Sequence, residues 1–153
     1  MHPNITITGY HDQTMQEMVT FISEKFVPQR LVVVNFLYKK SHNNAAGEFI
    51  PRALPGSGYT NVIDELTVCT KNHYLEVLRT IVHEFCHMHQ DHQKLFPSGQ
   101  EVVDLPNRKQ LLKQKEQQAR DCEVPLLKEF FDYQKSKGTY QERPWNYIMG
   151  KPK

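Results

Sequence analysis

The chain lacks several features that mark specialised classes of protein. No apolar run approaches the about 18 residues of a membrane-spanning helix, and the start, MHPNITITGY, has neither the basic nor the apolar segment of a signal peptide. The three cysteines, Cys69, Cys86 and Cys122, are an odd number without a CxxC pair, which argues against a disulfide framework. These absences predict a cytoplasmic protein whose cysteines are reduced and mostly buried.

An excess of charge of one sign is also missing. Nineteen lysines and arginines oppose 17 acidic residues, which leaves a net charge of +2, and the basic residues are scattered along the chain. Neither a nucleic-acid partner nor a membrane partner is therefore expected. The length of 153 residues and the 39% of hydrophobic residues predict a single domain, 1–153, with a core of its own.

Strand signals dominate the first half of the chain after an amphipathic helix over residues 11–26. The β-branched run at 31–38 predicts a central strand. Residues 47–53 are expected to pair with it as a hairpin, at an edge or a bulge because Pro51 interrupts a ladder. A short strand is expected at 64–70.

Helical signals dominate the second half. Residues 73–93 contain neither Gly nor Pro and predict one helix. Another should begin near Pro106, be kinked or split by Pro125, and end at Gly138. The tail, 139–153, is expected to pack back in part. Together the signals predict an α+β fold in which a mixed sheet of three or four strands packs against these helices.

The most informative stretch is TIVHEFCHMHQ, residues 80–90. It places His83 and His87 four residues apart, with Glu84 directly after the first. At about 100° per residue, the two histidines lie only about 40° apart on a helix, where two imidazoles can bind one ion. Apolar residues occupy the opposite face, so one side packs and the other stays polar. The motif therefore predicts a metal site.

Zinc is the metal that suits these ligands, at one ion per chain. A catalytic zinc takes three protein ligands and leaves a position for water, whose pKa it lowers. A carboxylate outside the coordination shell can take the proton and later deliver it to a leaving amine. Glu84 is placed for that role.

A third ligand must come from outside the motif. A metzincin would need Gly at position 90 and His at position 93, where this chain has Gln90 and Gln93. His89 and His92 point to other faces of the helix and are expected to be surface or structural residues. Cys86 borders the packing face and is expected to be a buried structural thiol.

The last predicted helix offers two candidates for this ligand. Glu116 and Glu123 lie within about 60° of each other in an otherwise apolar stripe. A carboxylate in such a stripe is costly unless a positive charge meets it. Zinc could meet one of them, whereas a place at the stripe edge, or a pair with Arg79, Arg120 or a lysine, would account for a carboxylate that binds no metal.

The two motifs together resemble the gluzincin arrangement, in which H-E-x-x-H is followed by E-x-x-A on the next helix. Here they read HEFCH at 83–87 and EQQA at 116–119. The order of helix, strands, motif helix and glutamate helix is similar to the minimal zincin core of ImmA/IrrE-type peptidases.

This resemblance implies that His83, His87 and Glu116 are the zinc ligands and that Glu84 is the general base and acid. It also implies that the strand around residues 66–70 binds an extended peptide through its backbone.

The chain departs from that family at two positions. Cys86 stands where members usually have a small residue. Four residues after the third ligand, where members often have Asp or Asn, this chain has Arg120, and Asp121 follows one position later. Glu123 therefore stays an alternative third ligand. SprT-like metalloproteins, in which a later histidine is the third ligand, are a lesser alternative. Residues 92–96 resemble the motif around that histidine, but they lie too close to the HExxH motif and lack the glycine.

The function expected from the sequence is a zinc-dependent metallopeptidase that hydrolyses peptide bonds of a protein or peptide substrate. The alternative is a non-catalytic protein-binding module whose metal site is structural or lost. Neither the identity of the substrate nor the oligomeric state is indicated by the sequence.

Overall fold

The fold is α+β. The computed structural model describes residues 3–53, 62–93 and 106–152, and within them three helices accompany a four-stranded mixed sheet. The strands are β1 (Ile5–Thr8), β2 (Val32–Leu37), β3 (Gly47–Ala53) and β4 (Val62–Cys69), in the order β1-β2-β4-β3. The helices are α1 (Gln13–Lys25), α2 (Tyr74–His92) and α3 (Arg108–Lys137).

The prediction of a central strand is confirmed. β2 lies between β1 and β4 and is parallel to both, with Val34 opposite Leu66 of β4. Every second residue of β2, beginning with Val32, is buried, which is the alternation of a strand with one face on the core.

The expected pairing of residues 47–53 with the central strand is wrong. β3 pairs antiparallel with β4, so that Phe49 lies opposite Leu66, and β4 separates β3 from β2. The reason is topological, since β4 follows β3 directly and closes the antiparallel pair, while its other edge is parallel to β2. Pro51 lies in a strand at the edge of the sheet, as predicted.

This order also overturns the peptide-binding role expected of the strand around residues 66–70. That strand is β4, and both of its edges are occupied, by β2 and by β3. Among the described strands next to the motif helix, the one with a free edge is β3.

Packing of α1 and α2 on the sheet forms the core. The apolar side of α1 buries Met15, Met18 and Ile22 completely, and that of α2 does the same with Ile81 and Phe85. Asp12 caps α1 by accepting a hydrogen bond of 2.9 Å from the backbone N–H of Met15.

α3 is one continuous helix, so of the two predicted effects of Pro125, a kink or a split, the split is wrong. Pro125 is exposed, which lets water reach the carbonyl that the missing N–H leaves free. Beyond it, Leu127 and Phe130 are buried against the core and hold the second half of the helix in place. The predicted end is confirmed, because Gly138 is the C-cap with a φ of 76°.

The tail after α3 packs back on the domain, as predicted. Tyr147 accepts a hydrogen bond of 2.8 Å from the N–H of Tyr74, the first residue of α2. Met149 is buried, and the Thr70 hydroxyl donates to the Gly150 carbonyl at 3.2 Å. Within the described residues, no helix combines the length and the apolar character needed to cross a membrane.

Candidate metal centre

α2 carries both histidines of the motif on the side that faces α3. Its opposite side is anchored by fully buried residues such as Ile81 and Phe85, which fix the rotation of the helix. At its start, the His73 ring accepts a hydrogen bond of 3.3 Å from the N–H of Glu76. Packing of the apolar side therefore aims His83 and His87 at the neighbouring helix.

The side chains of His83, His87 and Glu116 converge. The Nε2 atoms of the two histidines are 3.0 Å apart. Glu116 places Oε2 3.1 Å from His83 Nε2 and Oε1 2.9 Å from His87 Nε2. One ligand atom from each residue thus lies within 4.8 Å of the other two.

These distances fit a shared metal ion. Ligand atoms about 2.0 to 2.1 Å from a tetrahedral zinc lie about 3.3 Å from one another. The observed separations are a few tenths of an ångström shorter, as expected where hydrogen bonds join the same atoms. Two imidazoles and one carboxylate are also the donor set of many catalytic zinc sites.

The outer nitrogen of each ring has its own partner. His83 Nδ1 lies 3.0 Å from Glu123 Oε1, and His87 Nδ1 lies 2.8 Å from Gln90 Oε1. Gln90 in turn donates to the backbone carbonyl of Lys115 on α3 at 3.1 Å. Both outer partners can accept a hydrogen bond from Nδ1–H, so each Nε2 can donate to Glu116 when its ring is protonated and can bind a cation when its ring is neutral.

The two glutamates that the sequence offers as alternative third ligands occupy different positions in the structure. Glu116 faces both Nε2 atoms, whereas Glu123 lies on the far side of the His83 ring. Glu123 is also 3.5 Å from Arg79. Glu123 is thus placed to orient a ligand and Glu116 to be one.

Charges in the cluster are strongly coupled. Hydrogen bonds from the two histidines hold the pKa of Glu116 well below its usual range. Burial by itself would lower the pKa of His83, but the hydrogen bond to Glu116 and the charges of Glu84 and Glu116 raise it overall. A cation bound by these side chains would compete with protons for the same nitrogen and oxygen atoms.

Glu84 lies beside the cluster and is almost completely buried. Burial raises its pKa to about 7, while the two histidines oppose the shift and the charges of Glu116 and Glu48 add to it. No described residue donates a hydrogen bond to its carboxylate. A carboxyl group with such a pKa can accept and return a proton near neutral pH.

Gly47, the first residue of β3, lies close to the Glu84 carboxylate. A Cβ atom at Gly47 would overlap Thr80 Cγ2 and would lie only 3.0 Å from Glu84 Oε2 and from the Thr67 carbonyl oxygen. Only glycine therefore lets the β3 backbone pass this close to α2.

The cluster opens into a cleft of about 640 Å³. One wall is the segment from Ala45 to Phe49, and the others are α2 and α3. Three positively charged side chains line the described part of the cleft: Arg79, Lys115 and Arg120. The cleft is thus bordered by an edge strand and offers cations near the candidate metal ligands.

The remaining histidines of α2 have structural contacts. His92 Nε2 lies 2.5 Å from the buried Asp64 Oδ2, and the His89 ring packs on Phe26 with centroids 4.9 Å apart. Neither belongs to the cluster formed by His83, His87 and Glu116, as the helical wheel predicts.

Two residues of this centre were not identified from the sequence. Gly47 looks like an ordinary strand residue until the sheet and α2 are brought together. Gln90 falls on the histidine side of the helical wheel, and its spacing of three from His87 was a usable signal for a residue that orients the ring.

Cys86 is buried and lies next to a second cysteine. Its sulfur is 3.4 Å from that of Cys122 on α3, and both are free thiols. Burial raises the pKa of Cys86, and the sequence predicted that this thiol is buried.

Comparison of the chain with models of known protein families, with curated proteins and with solved structures gives no match in any of the three.

Proposed function

We propose that the protein is a zinc-dependent metallopeptidase, active in the cytoplasm, that hydrolyses peptide bonds of a protein or peptide substrate. The observation that carries the proposal is the convergence of His83, His87 and Glu116 beside the buried Glu84. The same arrangement of an H-E-x-x-H helix and a glutamate helix occurs in gluzincins, of which ImmA/IrrE-type peptidases are the small form.

In this proposal His83, His87 and Glu116 hold one zinc ion. A zinc bound there supplies a Lewis acid for the substrate carbonyl and lowers the pKa of a water. Glu123 and Gln90 keep the two imidazoles in the tautomer and orientation that ligation needs.

Glu84 moves the proton. Its carboxylate accepts a proton from the attacking water and delivers it to the nitrogen of the leaving amine. Burial suits this role, because it raises the pKa of the carboxyl group to about 7.

An extended substrate is expected to lie along β3. Within the described residues no strand pairs with its outer edge, and residues 45–49 line the cleft. Backbone pairing at a sheet edge binds an extended chain with little dependence on its sequence. Gly47 would bring the scissile bond close to Glu84, and Arg79, Lys115 and Arg120 are the nearby cations for the charge that develops on the carbonyl oxygen.

The first test is metal content by elemental analysis of protein purified without a histidine tag. We expect about one zinc per chain in the wild type and loss of that zinc in His83→Ala and Glu116→Ala. Glu123→Ala should keep a weakened site, because it removes the partner of an imidazole and no ligand. Folded wild-type protein that takes up no added zinc would contradict the proposal.

The second test measures cleavage of a library of peptides by the zinc-loaded protein, with mass spectrometry as the readout. Glu84→Gln should keep its zinc but lose about a hundredfold or more of the activity. Glu129→Gln is the control, since Glu129 is an exposed carboxylate of α3 that pairs with Lys25 and does not line the cleft. A zinc-loaded protein that binds peptides without cleaving any would be the non-catalytic binding module.

A further inference from the structure

α2 and α3, which carry the cluster of His83, His87 and Glu116, also contact each other through a pair of cysteines. Cys86 on α2 and Cys122 on α3 have their sulfur atoms 3.4 Å apart. Sulfurs in a disulfide are about 2.05 Å apart, so the two thiols need to approach by about 1.4 Å. Rotation of two side chains that already touch can provide such a movement.

The two cysteines are sequence neighbours of residues that belong to the candidate metal centre or orient it. Cys86 directly precedes His87, and Cys122 directly precedes Glu123, which binds the outer nitrogen of His83. A covalent bond between the sulfurs would therefore join α2 to α3 beside the cluster that also joins them. Neither sulfur belongs to that cluster.

Access to the pair is unequal. Cys86 is only 3% exposed, whereas Cys122 is partly exposed. A small thiol-reactive molecule would therefore meet Cys122 first, and Cys86 would be the neighbour that completes the bond. Cys69, on β4, is 1% exposed and donates weakly to the Ala45 carbonyl, with 3.7 Å between sulfur and oxygen.

We propose that Cys86 and Cys122 are a redox-active pair that forms a reversible disulfide with low-molecular-weight disulfides such as oxidised glutathione. The Cys122 sulfur attacks one sulfur of glutathione disulfide, and one glutathione leaves as a thiol after taking a proton. The Cys86 sulfur then attacks the Cys122 sulfur of the mixed disulfide and releases the second glutathione. Two protein thiols lose two electrons and two protons, which the glutathione disulfide takes up.

The disulfide ties the two helices together whether or not metal is bound. Without it, the metal-free site is held by hydrogen bonds among His83, His87 and Glu116 and by the packing of the helices. With it, the chain between Cys86 and Cys122 becomes a closed loop, which restricts the unfolded state. Oxidation is therefore expected to keep the metal-free site assembled while leaving all three candidate ligands available.

The test uses the full metal-free chain, incubated with oxidised glutathione and then treated with an alkylating reagent. We expect a mass loss of two hydrogens, blocked alkylation of Cys86 and Cys122, alkylation of Cys69 after unfolding, and reversal by dithiothreitol. Cys69→Ser is the matched control and should behave like the wild type. Cys86→Ser should instead stop at a stable glutathione adduct on Cys122, and Cys122→Ser should form neither product.

A second readout is thermal stability in the presence of a chelator. The oxidised wild type should melt about 5 to 10 °C above the reduced form, and Cys122→Ser should show no such difference. Three alkylatable thiols after oxidation, a glutathione adduct that persists on wild-type Cys122, or a bond through Cys69 would each overturn the proposal. These readouts do not depend on peptidase activity or on bound zinc, so the result stands apart from that of the proposed function.

Discussion

Each imidazole of the candidate metal centre is held by a residue that a zinc ion would not touch. For His87 that residue is Gln90, which is buried and joins the ring to the backbone of α3. In Gln90→Ala the ring loses the acceptor that fixes its tautomer, and we expect zinc affinity to fall about 10- to 100-fold. Competition with a chromophoric chelator measures the change.

Gln117→Ala is the control for this variant. Gln117 is an exposed residue of α3 whose side chain donates to Asp121 at 2.7 Å and has no contact with the cluster. Its zinc affinity should equal that of the wild type. Equal affinities in both alanine variants would show that Gln90 does not orient His87.

Gly47 is the residue whose lack of a side chain matters most. Gly47→Ala would place a methyl group against Thr80 Cγ2 and close to Glu84, so α2 and β3 would have to separate. Overpacking of this kind costs about 1 to 3 kcal/mol, and a displaced Glu84 should also lower peptidase activity. Denaturant unfolding and the peptide assay measure the two effects.

Thr80→Ser distinguishes the clash from other causes. Serine removes Cγ2 but keeps the hydroxyl that donates to the Glu76 carbonyl at 2.7 Å. The double variant Gly47→Ala/Thr80→Ser should therefore recover part of the lost stability. If the double variant is no more stable than Gly47→Ala, the contact with Thr80 is not the cause.

Much of the site was predictable at this scale, because His83, Glu84 and His87 lie on one helix of known periodicity. Glu116 and Glu123 were not distinguishable in the same way. Both lie on one side of α3, and only the position of α3 relative to α2 decides which carboxylate faces the Nε2 atoms. That position depends on how the two helices pack, which the periodicity of either helix alone does not determine.

Between elements, a buried polar link joins β4 to the end of α2. Asp64 of β4 is fully buried and accepts hydrogen bonds from Arg30, at 2.7 Å, and from His92. Asp64→Asn would leave Arg30 and His92 facing a neutral amide, and we expect a loss of about 3 kcal/mol in the free energy of unfolding. Urea unfolding measures the loss.

The neighbouring residue provides a matched comparison. Glu65 pairs with Arg52 at 2.7 Å, but the side chains are 33% and 57% exposed, respectively. Glu65→Gln is therefore expected to cost less than about 1 kcal/mol. A similar loss in both variants would mean that burial of Asp64 does not determine the strength of its link.

Element types were more predictable than their pairing. The alternation in β2 and the lack of Gly and Pro in α2 are local signals, and both elements lie where the sequence predicts. β1 was missed because four residues, ITIT, are too short for a periodic signal. The position of β3 beside β4 depends on which strand leaves an edge free, and local sequence does not contain that information.

For the molecule as a whole, a metal bound at the candidate centre would stabilise the fold. Its ligands come from α2 and α3, so the unfolded chain does not hold them together. Zinc at about 100 times its dissociation constant should therefore raise the free energy of unfolding by about 2.7 kcal/mol. Melting curves with zinc and with chelator measure this difference, which His83→Ala should abolish. An equal increase in His83→Ala would indicate that zinc binds elsewhere.

Sequence separation indicates when the candidate ligands can meet during folding. His83 and His87 are four residues apart on α2, so they come together when that helix forms, whereas Glu116 is 33 residues from His83. Pairing of β1 with β2 requires α1 to cross over, and Glu116 reaches the histidines only after α3 packs on α2. A zinc ion present from the start of refolding would therefore meet two imidazoles first, and the carboxylate would be the last ligand to arrive.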